Sequence, residues 1–171
     1  MRIKPILFPI LALIVMACEP EGFVNRQACT QLETAYDLGG GCTLFVPNIF
    51  TPNGDGMNDV FFARASCTPS AVSVRIFSGF GAEVFSASDL STSWDANSGN
   101  QEGVFTYQIE VVNGGDTLLF EGDVTSLPYG KAGVGQYEIQ NCDDCIFPDQ
   151  VSSGGIDPLT NEPIQAAGLC L

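Results

Sequence analysis

Residues 46–62, with the sequence VPNIFTPNGDGMNDVFF, constrain the fold of this chain more than any other stretch. Short apolar segments lie on both sides of a Pro-Asn-Gly-Asp-Gly loop. Pro52 fixes its own φ, and Gly54 and Gly56 allow positive φ. We therefore predict two β-strands joined by a rigid turn.

Further strands are predicted by a period of two. Val72, Val74 and Ile76 alternate with polar residues, and so do the apolar residues of 103–111. The turn sequence NGGD at 113–116 predicts an antiparallel hairpin over residues 103–126. Residues 42–127 are thus predicted to be all-β, an immunoglobulin-like antiparallel β-sandwich of six to seven strands. Its expected core is Val46, Phe50, Val60, Phe62, Val74, Ile76, Val84, Trp94, Phe105, Tyr107, Ile109, Phe120 and Val124.

Irregular extensions are predicted on both sides of this domain. Residues 18–41 form a linker in which Val24, Ala28, Leu32 and Tyr36 recur at near-helical spacing, which indicates a short helix. Residues 128–171 are rich in Gly, Pro and Asp, and we expect loops held to the sandwich by disulfides.

The first residues have the layout of a secretory signal. Arg2 and Lys4 precede an apolar run that ends at residue 17 and is too short to span a bilayer. The sequence Val-Met-Ala-Cys at 15–18 resembles a lipobox, so we predict cleavage after residue 17 and acylation of Cys18. Ordinary cleavage, with Cys18 left as a thiol, is the alternative.

The cysteine count supports the same interpretation. Of the seven cysteines, one would carry lipid and six could pair. The six are Cys29, Cys42, Cys67, Cys142, Cys145 and Cys170. We predict Cys42 with Cys67, because they bracket the first two strands. The Cys-Asp-Asp-Cys sequence at 142–145 could be redox-active or half a zinc site, but structural pairing is favoured since the chain has no His.

Charge limits the partners of the mature chain. Without Arg2 and Lys4 it keeps 4 basic residues against 20 acidic ones, a formal charge of −16. Such a chain repels polyphosphates, so nucleic-acid binding is not expected, whereas divalent cations are attracted. No His is present and no nucleophile elbow or P-loop occurs, so we predict a protein that is not an enzyme.

A calcium site is the one metal site that the sequence suggests. Asn53, Asp55, Asn58 and Asp59 offer hard oxygen donors within one glycine-rich loop. The alternative is that these side chains cap the turn through bonds to its backbone amides. The same residue types serve both purposes.

The motifs together resemble the gliding-motility-associated C-terminal domain, the type B sorting domain of type IX secretion in Bacteroidota. The TPNGDG motif with its ND, the strand pair at 72–85, the Trp-Asp step at 94–95, GVFTYQI at 103–109 and the closing strand at 122–127 follow the family's order. The resemblance covers roughly residues 42–127 and implies the sandwich fold and a role in export.

Two features depart from that family. Its members end with this domain, whereas here residues 128–171 follow it. Its members usually carry a basic residue and Trp before the glycine of the turn after the third strand, whereas this chain has Gly79-Phe80-Gly81.

Three functional hypotheses follow. The first is a lipid-anchored protein of the outer membrane or cell surface, whose domain is a non-catalytic binding or assembly module for an envelope protein or glycan. The second makes the domain a type IX transport signal on a small secreted protein. The third is a small carbohydrate-binding lipoprotein of a nutrient-uptake complex, with Phe80, Tyr129 and Tyr137 as candidate exposed aromatics. The sequence does not indicate an oligomeric state.

Overall fold

The computed structural model describes residues 26–96, 102–127, 137–138 and 142–157. Within these ranges the chain is essentially all-β, with short 3₁₀ turns that include Cys142–Asp144 and Pro148–Gln150. The strands in chain order are β1 Arg26–Gln27, β2 Ala35–Gly39, β3 Cys42–Phe45, β4 Ile49–Phe50, β5 Arg64–Ala65, β6 Ala71–Phe77, β7 Glu83–Ala87, β8 Gly103–Asn113, β9 Asp116–Ser126, β10 Tyr137–Glu138, β11 Val151–Ser152 and β12 Gly155–Ile156.

Two sheets form the body of the molecule. The larger has the strand order β4-β9-β8-β6-β7, and the smaller has the order β2-β3-β5. Neighbouring strands are antiparallel except for β4, which pairs parallel with β9. Two further pairs lie outside these sheets: β1 runs parallel to β10, and β11 runs antiparallel to β12.

Apolar side chains of both sheets meet in one core. Leu44 of β3, Ile76 of β6 and Ile109 of β8 are fully buried in it. Strand β8 alternates buried and more exposed positions along most of its length, as expected of a strand with one face on the core. Trp94 lies in the same core, with its ring centroid 5.2 Å from that of Phe50. The predicted β-sandwich is thus confirmed.

The hairpin of β8 and β9 is also as predicted. Its register ends in the pair Asn113 and Asp116, which leaves a two-residue turn. Gly114 and Gly115 both have positive φ, at 61° and 95°, the combination that a type I′ turn requires. Glycine is therefore the residue type that this turn needs.

Other expectations differ from the structure. The short helix predicted from the spacing of Ala28, Leu32 and Tyr36 is wrong for the described part of that segment. Ala28 is buried while Leu32 is 71% exposed, and Tyr36 belongs to β2. Apolar spacing over one short stretch could not distinguish a helix from irregular chain held by distant contacts. Residues 42–127 contain seven strands, β3 to β9, as predicted, but the β4–β9 pair is parallel and not antiparallel.

The expected core is shifted by one residue after the loop. Val60 and Phe62 are only half-buried, whereas Phe61 and Ala63 are buried. Phe61 forms an antiparallel bridge with Trp94, which turns alternate residues 61 and 63 toward the core. Val84 and Phe120 are likewise half-buried and pack at the margin of the core. The other predicted core residues are buried.

Candidate functional site

The signature loop, residues 51–59, is closed by one carboxylate. Asp59 accepts the backbone N–H of Gly54 at 2.6 Å with one oxygen and that of Gly56 at 2.8 Å with the other. Both glycines have positive φ, 85° and 92°, a region that other residues rarely adopt. The glycines shape the loop and Asp59 satisfies the amides that they turn inward.

Asn53 and Asp55 satisfy further amides of the same loop. The Asp55 N–H donates to Asn53 Oδ1 at 2.9 Å, and the Met57 N–H donates to Asp55 Oδ1 at 2.9 Å. Asn53 Nδ2 also donates to Asp55 Oδ2 at 3.0 Å. These bonds are the ones that the capping interpretation requires.

Metal ligation therefore has to compete with backbone amides at this loop. Among the described residues, no group of three or more His, Cys, Asp or Glu side chains is placed to hold a metal ion. Asn58, the fourth residue of the predicted calcium set, directs its side chain oxygen to the backbone of Asp149. Calcium binding here stays a prediction.

Asn58 connects the signature loop to the C-terminal strap, which we define as residues 142–157. The Asn58 N–H donates to Asp149 Oδ2 at 3.0 Å, and the Asp149 N–H donates to Asn58 Oδ1 at 2.9 Å. Asn58 is 2% exposed and has a positive φ of 49°. No local sequence signal indicates a partner 91 residues away, so the contact between Asn58 and Asp149 is not predictable from the sequence.

Asn48 joins three separate segments and was missed by the sequence analysis. Its Nδ2 donates to the carbonyls of Gln31 at 2.7 Å and Asp144 at 2.8 Å, and its Oδ1 accepts the Ile146 N–H at 2.8 Å. Its backbone N–H donates to the Ile146 carbonyl, and its own carbonyl accepts the Thr125 N–H. Asn48 is 2% exposed. A buried Asn that meets its hydrogen-bonding needs in this way fixes the segments around it.

A second apolar cluster lies beside Asn48. It contains Ala28, Cys29, Ile49, Leu127, Cys145 and Phe147, with Val104 and Cys142 at its margin. The Cys29–Cys145 disulfide runs through it, with the two Cα atoms 5.2 Å apart. The N-terminal segment and the strap are therefore covalently joined against β4 and the end of β9.

The remaining described cysteines are also in disulfides. Cys42 and Cys67 are bonded, with Cα atoms 5.4 Å apart, which is the pairing that the sequence analysis predicts. Cys142 is disulfide-bonded as well. Cys18, the predicted lipidation site, and Cys170 lie outside the described residues.

Gln31 explains why β9 contains a glycine at position 122. Its Oε1 accepts the Asp123 N–H at 2.6 Å, and its Nε2 lies 2.6 Å from the hydroxyls of both Tyr36 and Tyr107. A Cβ on Gly122 would overlap the Gln31 carboxamide. Burial raises the pKa of the Tyr107 hydroxyl, which therefore stays neutral and available for these bonds.

The aromatic turn, residues 78–82, presents a side chain to solvent, unlike the buried and hydrogen-bonded residues described above. The Ser78 N–H donates to the Ala82 carbonyl and the Gly81 N–H donates to the Ser78 carbonyl, each at 2.8 Å. This compact turn holds Phe80 99% exposed. The other two candidate aromatics are Tyr129, which lies outside the described residues, and Tyr137, of which the backbone alone is described.

A cleft of about 750 Å³ lies between residues 64–72, 88–91 and 151–153. Its wall is rich in serine and threonine, and its charged residues are Arg64 and Asp89. The Ser91 and Thr92 hydroxyls and backbone donate to Asp89, and these bonds lower the pKa of its carboxyl. The cleft is therefore lined by hydroxyl groups and by the Asp89 carboxylate, which already accepts hydrogen bonds from residues 91 and 92.

Searches of curated proteins and of solved structures found no significant match to the chain. No helix in the described ranges is long and apolar enough to span a membrane.

Residues 44–124 match the family model of the CHU_C type IX secretion signal domain. The matched stretch begins in β3 and ends in β9, and so takes in most of both sheets. A domain of this kind indicates a role in secretion sorting or in the cell envelope. The sandwich domain of this chain belongs to the type IX secretion signal domain family.

Proposed function

We propose that this chain is a lipid-anchored protein of the outer membrane whose sandwich domain is a non-catalytic recognition module for an envelope protein or glycan. The observation that carries the recognition part of the proposal is the family match over residues 44–124, because it covers most of the two-sheet body of the molecule. A domain that directs secretion acts through binding, not through chemistry on a substrate.

The lipid anchor is supported by the sequence around Cys18. An apolar run precedes it and ends in a lipobox-like Val-Met-Ala-Cys at 15–18. All five cysteines in the described residues are in disulfides, as expected of a chain folded outside the cytoplasm. Several acyl chains on one residue bind a bilayer firmly, since each buried methylene adds about 0.8 kcal/mol.

A non-catalytic role is supported by the use of the polar side chains. The chain contains no His. The carboxylates of Asp55, Asp59 and Asp149 accept backbone N–H groups, which is a structural use. General acid–base chemistry needs a group within reach of substrate and free to exchange a proton.

The exposed Phe80 is the strongest candidate contact for a partner. A rigid aromatic ring that is free in solvent can be buried in a partner's pocket or stack on a sugar at little entropic cost. The strongly negative chain disfavours nucleic acid and anionic lipid head groups as that partner. The carbohydrate-binding hypothesis would use the same ring.

Metabolic labelling with a palmitate analogue tests the anchor. The native protein should be labelled and recovered with outer membranes, whereas Cys18→Ser should be unlabelled. If the native chain takes no label and both forms fractionate alike, the anchor is wrong.

Crosslinking in whole cells tests the recognition module. Phe80→Ser should lose its crosslinked partner, while Leu119→Ser, which changes another exposed apolar residue, should keep it. An unchanged crosslinking pattern for both variants would remove Phe80 from the proposal.

Export without anchoring is the second candidate, and the family match supports it as well. In that case the domain would act only as a type IX transport signal, and the protein would appear in the medium. Fractionation of cells that possess or lack type IX secretion distinguishes the two: release to the medium that depends on this system supports the second candidate.

A further inference from the structure

We infer that β4, the signature loop and Leu127 form a binding site for a peptide segment, and that the strap, residues 142–157, is its resident ligand. The Cys29–Cys145 disulfide retains this ligand on the site. The inference adds a second binding site to the proposed function and does not depend on it.

The strap lies outside both the main core and the stretch that matches the family. Of the described residues, none from the strap belongs to the main core between the two sheets. The family match ends at residue 124, before the strap begins. The strap's own strands, β11 and β12, pair with each other and not with either main sheet.

The contacts have the character of peptide recognition. Asn48 bonds to the carbonyl of Asp144 and to both backbone groups of Ile146, in the way that a neighbouring strand would. Because these bonds use the backbone of the ligand, they fix its direction and its register. They leave side-chain selection to other positions of the strap.

Two side chains of the strap supply that selection. Phe147 is 4% exposed and packs with Ile49 and Leu127. Two residues later, Asp149 exchanges two hydrogen bonds with Asn58. The site is therefore specific for a segment in which an apolar residue precedes Phe-Pro-Asp and the Pro-Asp part begins a 3₁₀ turn.

Charge explains why the ligand needs a covalent bond. The strap carries four aspartates and no basic residue, and the whole chain has a net charge of −14. Repulsion between like charges weakens the non-covalent contact and is reduced by salt. A disulfide-bearing oxidant forms the Cys29–Cys145 bond by thiol–disulfide exchange: its own S–S bond breaks, and its two sulfurs take up the two electrons and two protons that the Cys29 and Cys145 thiols lose.

The test uses the full chain with Cys18→Ser and with a specific protease site between Leu127 and Tyr137. After cleavage, a form with Cys29→Ser and Cys145→Ser is compared with one that keeps this disulfide. The probe is a fluorescent peptide of residues 142–157 with both cysteines changed to Ser. The peptide should displace the strap from the form without the disulfide, one for one by native mass spectrometry, and should leave the other form unlabelled.

Variant peptides test the specificity. Phe147→Ala and Asp149→Ala should each bind at least about tenfold more weakly, and Ser153→Ala, a change at an exposed position, should bind like the native peptide. Binding should strengthen when NaCl is raised from about 0.05 to about 0.5 M.

Three results would overturn the inference. The cleaved form without the disulfide could lose its near-ultraviolet circular dichroism, which would make the strap part of the folding core. It could stay folded and bind no peptide. The Phe147→Ala and Asp149→Ala peptides could also bind as well as the native one.

Discussion

The signature loop and the aromatic turn are both tight, glycine-containing connections, yet they place their side chains in opposite ways. In the signature loop, the Asp59 carboxylate accepts backbone N–H groups of the loop, and Asn58 is buried under the strap. The turn between β6 and β7 satisfies itself through backbone bonds and presents Phe80 to solvent.

This difference separates residues that build the fold from a residue free to bind. The loop is rich in side-chain oxygens of the kind that bind metal ions. In the structure these oxygens accept hydrogen bonds from backbone N–H groups and so stabilise the loop. The polar side chain of the turn, Ser78, accepts the Ala82 N–H, and Phe80 is the most exposed large apolar residue of the described ranges. Exposure therefore makes Phe80 the better candidate for a contact with a partner, whereas the loop oxygens already accept hydrogen bonds from the chain itself.

Removal of the Cys29–Cys145 disulfide, which holds the strap against the signature loop, should lower the stability of the protein more than any other change. Cys29→Ser with Cys145→Ser should lower the free energy of unfolding by about 5 kcal/mol, because this bond closes a longer stretch of chain. Cys42→Ser with Cys67→Ser should cost about 3 kcal/mol, since the separations are 116 and 25 residues. Urea unfolding measures both, and the reverse order would contradict the role given to the strap.

Asn48→Ala should follow in size. It leaves the carbonyls of Gln31 and Asp144 and the N–H of Ile146 without a buried partner, at a cost of about 2–4 kcal/mol. Thermal unfolding checks this. A loss below about 0.5 kcal/mol would show that water replaces the amide and that the strap is loosely held.

Asn58→Gly isolates the contact between loop and strap. Glycine keeps the positive φ of this position, so a loss of about 1–2 kcal/mol would report the bond to Asp149. Asn53→Ala is the matched control on the same loop and should cost less, about 0.5–1 kcal/mol. Equal losses would mean that the strap contact contributes nothing of its own.

Phe80→Ser should leave the stability unchanged within about 0.5 kcal/mol, because the ring makes no buried contact. Denaturant unfolding of Phe80→Ser and Leu119→Ser should give matching curves. A marked loss for Phe80→Ser alone would show that the ring supports the fold, and would end the contrast between the two turns.

Calcium should have the smallest effect. Since Asn53, Asp55 and Asp59 already accept backbone amides, the ion would have to displace those bonds. Titration calorimetry with millimolar Ca²⁺ should show no heat and no change in melting temperature. A saturable signal that Asp59→Ala abolishes would reverse this interpretation of the loop.

The sequence predicts the parts of this fold that depend on neighbours in the chain. Alternation in residues 103–111 and the NGGD turn specify the β8–β9 hairpin. Cysteines that bracket two strands specify the Cys42–Cys67 bond. The predicted core agrees with the structure except at Val84 and Phe120, which lie at its margin, and after the loop, where the Phe61–Trp94 bridge shifts the alternation by one residue.

The parts that it does not predict depend on distant partners. Asn48, Asn58 and Gly122 look like ordinary turn and strand residues. Their roles come from Ile146, Asp149 and Gln31, which approach only in the folded chain. The supposed helix before β2 fails for the same reason, because Cys29 and Gln31 are held by contacts far along the chain.

Intact-mass measurement of the protein purified from membranes, before and after reduction, tests the central claim most directly. The account predicts a chain that begins at an acylated Cys18, and a mass gain on reduction that corresponds to three disulfides among the six remaining cysteines. A mass that begins upstream of Cys18, or an unmodified Cys18 with a free thiol, would contradict it.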